Sequence, residues 1–220
     1  MKLKKSICFC CLMGILVAGV LIKTYAFSFE QMANESISTQ DEFAKIIEII
    51  VSIKTESPNA SEAEILEKVN IAIEKQRGVI DTWNALTDSE KRLVIRYPFD
   101  ALQVNKAKDI AISKTEEMFG YNGLGDRSDA FRHGIWNAEM TILIGSTKAE
   151  LFATAHEDKD TTGNEDDGFS KEEHKYMDLH NNAVGRNIGQ QNMSATENEL
   201  AEIIYNDITS EISGFIWLQE

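Results

Sequence analysis

IIEIIVSI, residues 46–53, is the stretch on which the fold class turns. A run this rich in isoleucine can be argued as a strand, because β-branched side chains pack well on a pleated surface. Its length and the central Glu48 favour a helix, and Phe43, Ile46, Ile47 and Ile50 recur at the spacing of one buried helix face. The same spacing returns in Ile65, Leu66, Val69 and Ile73, and no stretch alternates apolar and polar residues between turn signals. The predicted fold class is all-α, a compact multi-helix domain.

Working outward, helical spacing predicts helices over 41–54, 61–77, 88–97, 99–118, 127–144, 147–157, 170–187 and 195–213. Ser61 with Glu64, Thr87 with Glu90, Thr147 with Glu150 and Ser194 with Glu197 match the capping-box spacing. Pro58 separates two helices, and Pro98 ends one and opens the next. Glycines cluster at breaks: Gly120, Gly123 and Gly125, then Gly163 and Gly168 in an acidic loop.

The N-terminus reads differently. Lys2, Lys4 and Lys5 precede an uncharged run from Ser6 to Ile22, followed by small Ala26. This is the layout of a secretory signal over 1–26, with an uncleaved membrane anchor at 6–22 as the alternative. A polar tether (27–40), an N-terminal helical hairpin (41–80) and the main helical domain (81–220) are expected to follow. Cys8, Cys10 and Cys11 all fall inside the apolar run, so an exported mature chain would have no disulfide and no thiolate chemistry. The chain carries a formal charge of −14, and removing Lys2, Lys4, Lys5 and Lys23 leaves −18. A field of that sign repels phosphate backbones, so no nucleic acid is expected as a general partner. Membrane contact is expected only through the N-terminal segment if it stays attached.

The residues that speak about chemistry lie in three stretches. In DRSDAFRHGIWN, residues 126–137, Asp129 and His133 are four apart and share a helix face, with Arg132, Trp136 and Asn137 nearby. FATAHED places His156 at the edge of an apolar face, with Glu157 turned roughly 100° around the same helix. MDLHNNAVGR adds Asp178, Asn181 and Asn182 on one face, with Arg186 further on. His133, His156 and Asp178 are a two-His, one-carboxylate set suited to a divalent metal such as zinc, manganese or calcium. Glu157 or Asp129 would act as general base or orienter, and Asn182 or Arg132 would stabilise developing charge. The structural alternative is a satisfied polar network, with Asp129 capping backbone amides and Asn182 closing a turn. His174 and His180 are expected on the surface. DKDTTGNEDDGF, residues 158–169, begins like an EF-hand loop but has Phe169 where the bidentate Glu belongs, so it reads as a solvated acidic loop.

Three blocks together resemble an uncharacterised bacterial domain family found in secreted proteins and at the C-termini of Rhs or YD-repeat, toxin-like proteins. They are Asn122, Gly123, Gly125, Asp126, Asp129 to His133, Trp136 and Asn137; then His156 and Glu157; then Met177, Asp178, Asn181, Asn182 and Gly185. The resemblance spans about Leu86 to Gly189, and Gly134 stands where the pattern has Ala. It implies no settled activity, and its toxin-like settings point towards an enzyme by context alone. The expectation is an exported α-helical domain with metal-dependent hydrolase chemistry on an envelope component: a phospholipid, a peptidoglycan fragment or a phosphoester. The alternative is a non-catalytic binding or structural domain.

Overall fold

A computed structural model describes residues 42–76 and 78–220; the expected signal or anchor (1–26) and the tether (27–40) lie outside the described residues. Residues 42–220 form one compact unit. Helix α1 covers 42–56 and contains the whole IIEIIVSI run, so the isoleucine stretch is helical. It is followed by α2 (Glu62–Glu74), α3 (Ile80–Asn84), α4 (Asp88–Arg96), α5 (Pro98–Phe119), α6 (Arg127–Ile144), α7 (Ser146–His156), α8 (Lys171–Gln191) and α9 (Glu197–Ile208). No strand occurs among the described residues; Asn164 and Ser170 form one isolated bridge. None of the described helices is long and apolar enough to cross a membrane.

Capping decides most of these starts. Full capping boxes open α2 at Ser61/Glu64, α4 at Thr87/Glu90, α8 at Ser170/Glu173 and α9 at Thr196/Glu199. Two expected boxes do not form. Only Gly145 separates α6 from α7, so α7 starts at Ser146 without a side-chain cap, and Thr147 already lies inside it. The turn closed by Ala195 N on Asn192 O takes up Ser194 and moves the α9 cap on to Thr196. The short α3 has no counterpart among the expected helices, because five residues are too few to display a period. It is held instead by buried Trp83, whose indole N–H donates to Asn70 Oδ1 at 2.8 Å.

Helix α6 is the axis of the unit, with α5, α7, α8 and α9 packed around it. Every residue from Ser128 to Thr141 is buried except Arg132, so the helix has no solvent face and its polar residues point into protein. Against α8 the packing is unusually close. A Cβ on Gly185 would lie 2.2 Å from the carbonyl oxygen of Gly134, and one on Gly189 would lie 2.6 Å from that of Ala138. Each glycine costs an exposed helix about 1 kcal/mol relative to alanine. Here the missing methyl groups let two main chains approach where side chains would hold them apart.

Past α9 the structure departs from the expected helix at 195–213, which ends at Ile208. The chain turns back across the start of α6. Phe215 is buried, and Ile216 is pinned by Asn181, whose amide donates to Ile216 O at 2.9 Å while its Oδ1 accepts Ile216 N–H at 3.0 Å. Gly134 makes this possible, since a Cβ there would lie 2.5 Å from the Phe215 ring. The departure from alanine at this position thus has a packing reason. Leu218 N–H and Gln219 N–H both donate to Gly125 O. Gly125 has φ +71°, a conformation that favours glycine.

The α6–α8 contact yields a stability prediction. Gly185→Ala must push apart two main chains, so it should destabilise by about 3 kcal/mol, at the upper end of overpacking costs. Gly78→Ala, where a Cβ would meet nothing within 4 Å, should be close to neutral. Thermal unfolding followed by circular dichroism separates the two.

Candidate functional site

The start of α6 sets the first ligand. Asp126 is the N-cap, its Oδ1 accepting the amides of Ser128 and Asp129 at 2.9 and 3.0 Å. Asp129, one turn in, accepts Gly125 N–H on Oδ2 at 2.7 Å, while its Oδ1 takes the Arg132 guanidinium and faces His133. One oxygen therefore secures the turn and the other is turned towards the centre.

His133 is the hub. Its Nε2 lies 3.5 Å from Asp129 Oδ1 and 3.3 Å from Asp178 Oδ1 on α8. One ligand atom from each of these three residues falls within 4.8 Å of the other two. For metal–ligand bonds of about 2.0–2.2 Å, tetrahedral or octahedral corners are roughly 3.0–3.6 Å apart, which the two histidine distances match.

The other edge of the ring reports which nitrogen carries the proton. Arg186, which can only donate, gives Nη1–H to Asn137 Oδ1 at 3.0 Å. Asn137 must then offer its NH₂, and it does so to His133 O at 3.1 Å and to Asn182 Oδ1 at 2.6 Å. Asn182 Oδ1 is thereby an acceptor, so His133 Nδ1, 3.1 Å away, is the donor. The direction of the chain leaves an unshared electron pair on Nε2, aimed at two carboxylate oxygens.

Such an arrangement repels itself unless something positive lies between. Burial pushes the Asp178 carboxyl up to about 8, helped by the charges of Asp129 and Glu157. Burial likewise raises Asp129, against the pull of Arg132 and the Gly125 amide. His133 is driven well below its usual value by burial and by the nearby Arg132 and His156, so it stays neutral. Asp178 Oδ1, Glu157 Oε1 and Asn182 Nδ2 are buried without a hydrogen-bond partner. A buried carboxylate oxygen without a partner is costly, and a cation is one way to satisfy it.

The remaining expected residues are distributed around this group. His156, expected as a metal ligand, stands outside it, because Glu90 of α4 holds its Nδ1 at 2.9 Å. Its place in the group is taken by Asp129. Glu157 turns inward instead, buried, with Oε1 3.9 Å from His133 Nδ1, and burial raises its carboxyl. Trp136 contacts both imidazoles edge to face, at centroid distances of 6.4 Å to His133 and 5.2 Å to His156. Asn182 orients His133, and Arg132 pairs with Asp129 at the rim.

One histidine, His174, is not at the surface where it was expected. His174 is 5% exposed because the acidic loop folds back and sets Asp167 against it, Nε2 to Oδ2 at 3.0 Å. His180 is half-buried and hydrogen-bonds Gly214 O through the returning C-terminal segment. In the acidic loop, Asp160 is occupied by Thr162. Glu90 was legible only as a capping residue: its Oε2 does accept Thr87 N–H, while its Oε1 serves His156.

A family model described as a domain of unknown function (DUF6973) matches residues 91–212, more than half of the chain. The chain belongs to this family. No curated protein and no solved structure matches it. The DUF6973 match contains all of α5 to α9 and every residue of the Asp129–His133–Asp178 group. Glu90 and the C-terminal return from Ser213 lie just outside it.

These protonation states predict a pH dependence for the metal-free DUF6973 domain. Asp178 at about 8 and Glu139 of α6, pushed up to about 7 by burial, hold protons in the folded state that the unfolded chain has released. Folding then takes up protons, and stability falls as pH rises through these values. His133 is neutral in the folded state and half protonated in the unfolded chain at pH 6.5, so it opposes the fall by only about 0.4 kcal/mol across that window. In chelator, the unfolding free energy should drop by about 2 kcal/mol from pH 6.5 to 8. Asp178→Asn should remove most of the drop in urea titrations at the two pH values.

Proposed function

We propose that this DUF6973 domain is a metal-dependent hydrolase, exported by its N-terminal segment and acting on an envelope component. The observation that carries the reading is the His133 Nε2 electron pair facing two carboxylate oxygens at 3.3 and 3.5 Å. Asp129, His133 and Asp178 hold the cation, with Asn182, Asn137 and Arg186 fixing the imidazole. A bound divalent metal would supply Lewis acidity and lower the pKa of water. Glu157, a buried carboxylate outside the ligand group, takes the proton of the attacking water. Arg132, at the rim, stands where charge develops on the substrate, while Asn182, at the opposite edge of the ring, acts only by orienting His133. Lys2, Lys4 and Lys5 before an apolar run support export, and the substrate classes that suit this setting are a phospholipid, a peptidoglycan fragment or a phosphoester.

A second reading is favoured by one observation. Asp178, held up to about 8, can keep a proton and share it with His133 Nε2, which would close the network without a metal. The domain would then be a binding or structural module.

Metal content separates the readings. After equilibration with zinc, manganese or calcium and removal of excess, elemental analysis should find one ion per chain, lost in His133→Ala and Asp178→Ala but kept in His156→Ala. Asn182→Ala should weaken metal affinity by 10–100-fold, the usual effect of losing a group that orients a ligand. Glu157→Gln should keep the metal and lower the turnover of chromogenic phosphoesters by about 10²–10⁴-fold. A folded protein that takes up no metal would instead support the shared-proton network.

A further inference from the structure

We infer that the centre is built to receive a phosphoryl group, held by Arg132 and Lys159; this rests on the metal centre proposed above. Lys159 is the starting point. The chain has a formal charge of −14, and Lys159 stands between Asp158 and Asp160, yet it makes no ion pair among the described residues. Its neighbours are engaged elsewhere: Asp158 accepts the Ser89 hydroxyl, and both oxygens of Asp160 accept from Thr162. The Lys159 ammonium instead lies 3.3 Å from His156 Nε2. The other ring nitrogen of His156, Nδ1, is engaged by Glu90 at 2.9 Å. The ammonium sits beside the rim histidine, whose ring meets Trp136 edge to face as His133 does, and no ion pair among the described residues cancels its charge.

Arg132 approaches from α6. Its guanidinium gives one Nη2–H to Asp129 and makes no other hydrogen bond among the described residues, and 28% of its side chain is exposed. Both charges are felt at the centre. Arg132 acts on Asp129, His133 and Asp178, and Lys159 acts on His133, Glu157 and Asp178. Once a divalent cation offsets Asp129 and Asp178, the free donors of Arg132 and the Lys159 ammonium are left to attract an anion.

The donor set selects the kind of anion. A cation, a guanidinium with free N–H groups and an ammonium offer three positive contacts, enough for three non-bridging phosphoryl oxygens. A carboxylate has two oxygens, and an uncharged ester or amide carbonyl has one, so each would leave at least one of the three donors without an acceptor. Hydrolysis at this site forms a P–O bond from water and breaks the ester P–O bond. The proton that Glu157 takes from water ends on the leaving oxygen.

Inorganic phosphate is the probe. The full chain is first loaded with zinc or manganese and its metal content measured, then titrated calorimetrically with phosphate and, separately, acetate. Phosphate should bind at least ten-fold more tightly than acetate, and Lys159→Gln should weaken phosphate at least ten-fold with metal affinity unchanged. Lys159 is exposed, so the variant is expected to fold. A metal-loaded protein that ignores phosphate, binds acetate as well, or binds phosphate equally in Lys159→Gln overturns this inference alone. A protein that holds no metal overturns the centre itself, and the phosphoryl site with it.

Discussion

The rest of the structure depends on how closely α8 approaches α6. Gly185 and Gly189 on one helix meet the carbonyls of Gly134 and Ala138 on the other at distances that no Cβ would allow. On α8, Asp178, Asn182, Gly185 and Gly189 follow each other at four, three and four residues, so the glycines and the polar pair lie on one face. Seating the glycines at one end delivers Asp178 and Asn182 to opposite edges of the His133 ring at the other. A methyl group at Gly185 would therefore be felt at the centre as well as in stability.

The second constraint is directional. Arg186 has no acceptor to offer, and that fact propagates through Asn137 and Asn182 to leave the His133 Nε2 electron pair facing Asp129 and Asp178. A packed interior normally avoids pointing electron pairs at carboxylates, because each buried charge must be matched. The centre is thus complete only with a positive charge, whether a metal ion or a proton on Asp178.

Much of this was legible in the chain. Helix α6 was expected at 127–144 and lies there, because Asp126 and Gly145 mark both of its ends. Asp129 and His133 could be paired from their four-residue spacing, and Asp178 from its place on one face with Asn181 and Asn182. What spacing does not carry is the rotation of a helix about its axis. Phe152 and Ala153 turn α7 so that Glu157 enters the interior and His156 stays at the rim, outside the ligand group it was expected to join. Contacts between distant segments were equally hidden: Glu90 with His156, Asp167 with His174, and the C-terminal return that needs Gly134.

The central claim concerns one atom, and nitrogen-15 NMR of the histidine side chains in the metal-free protein addresses it directly. His133 should carry its proton on Nδ1 with Nε2 bare, and adding zinc should shift the Nε2 resonance while leaving the Nδ1 proton in place. A His133 found protonated on Nε2, donating to Asp129 or Asp178 and unmoved by metal, would contradict the account.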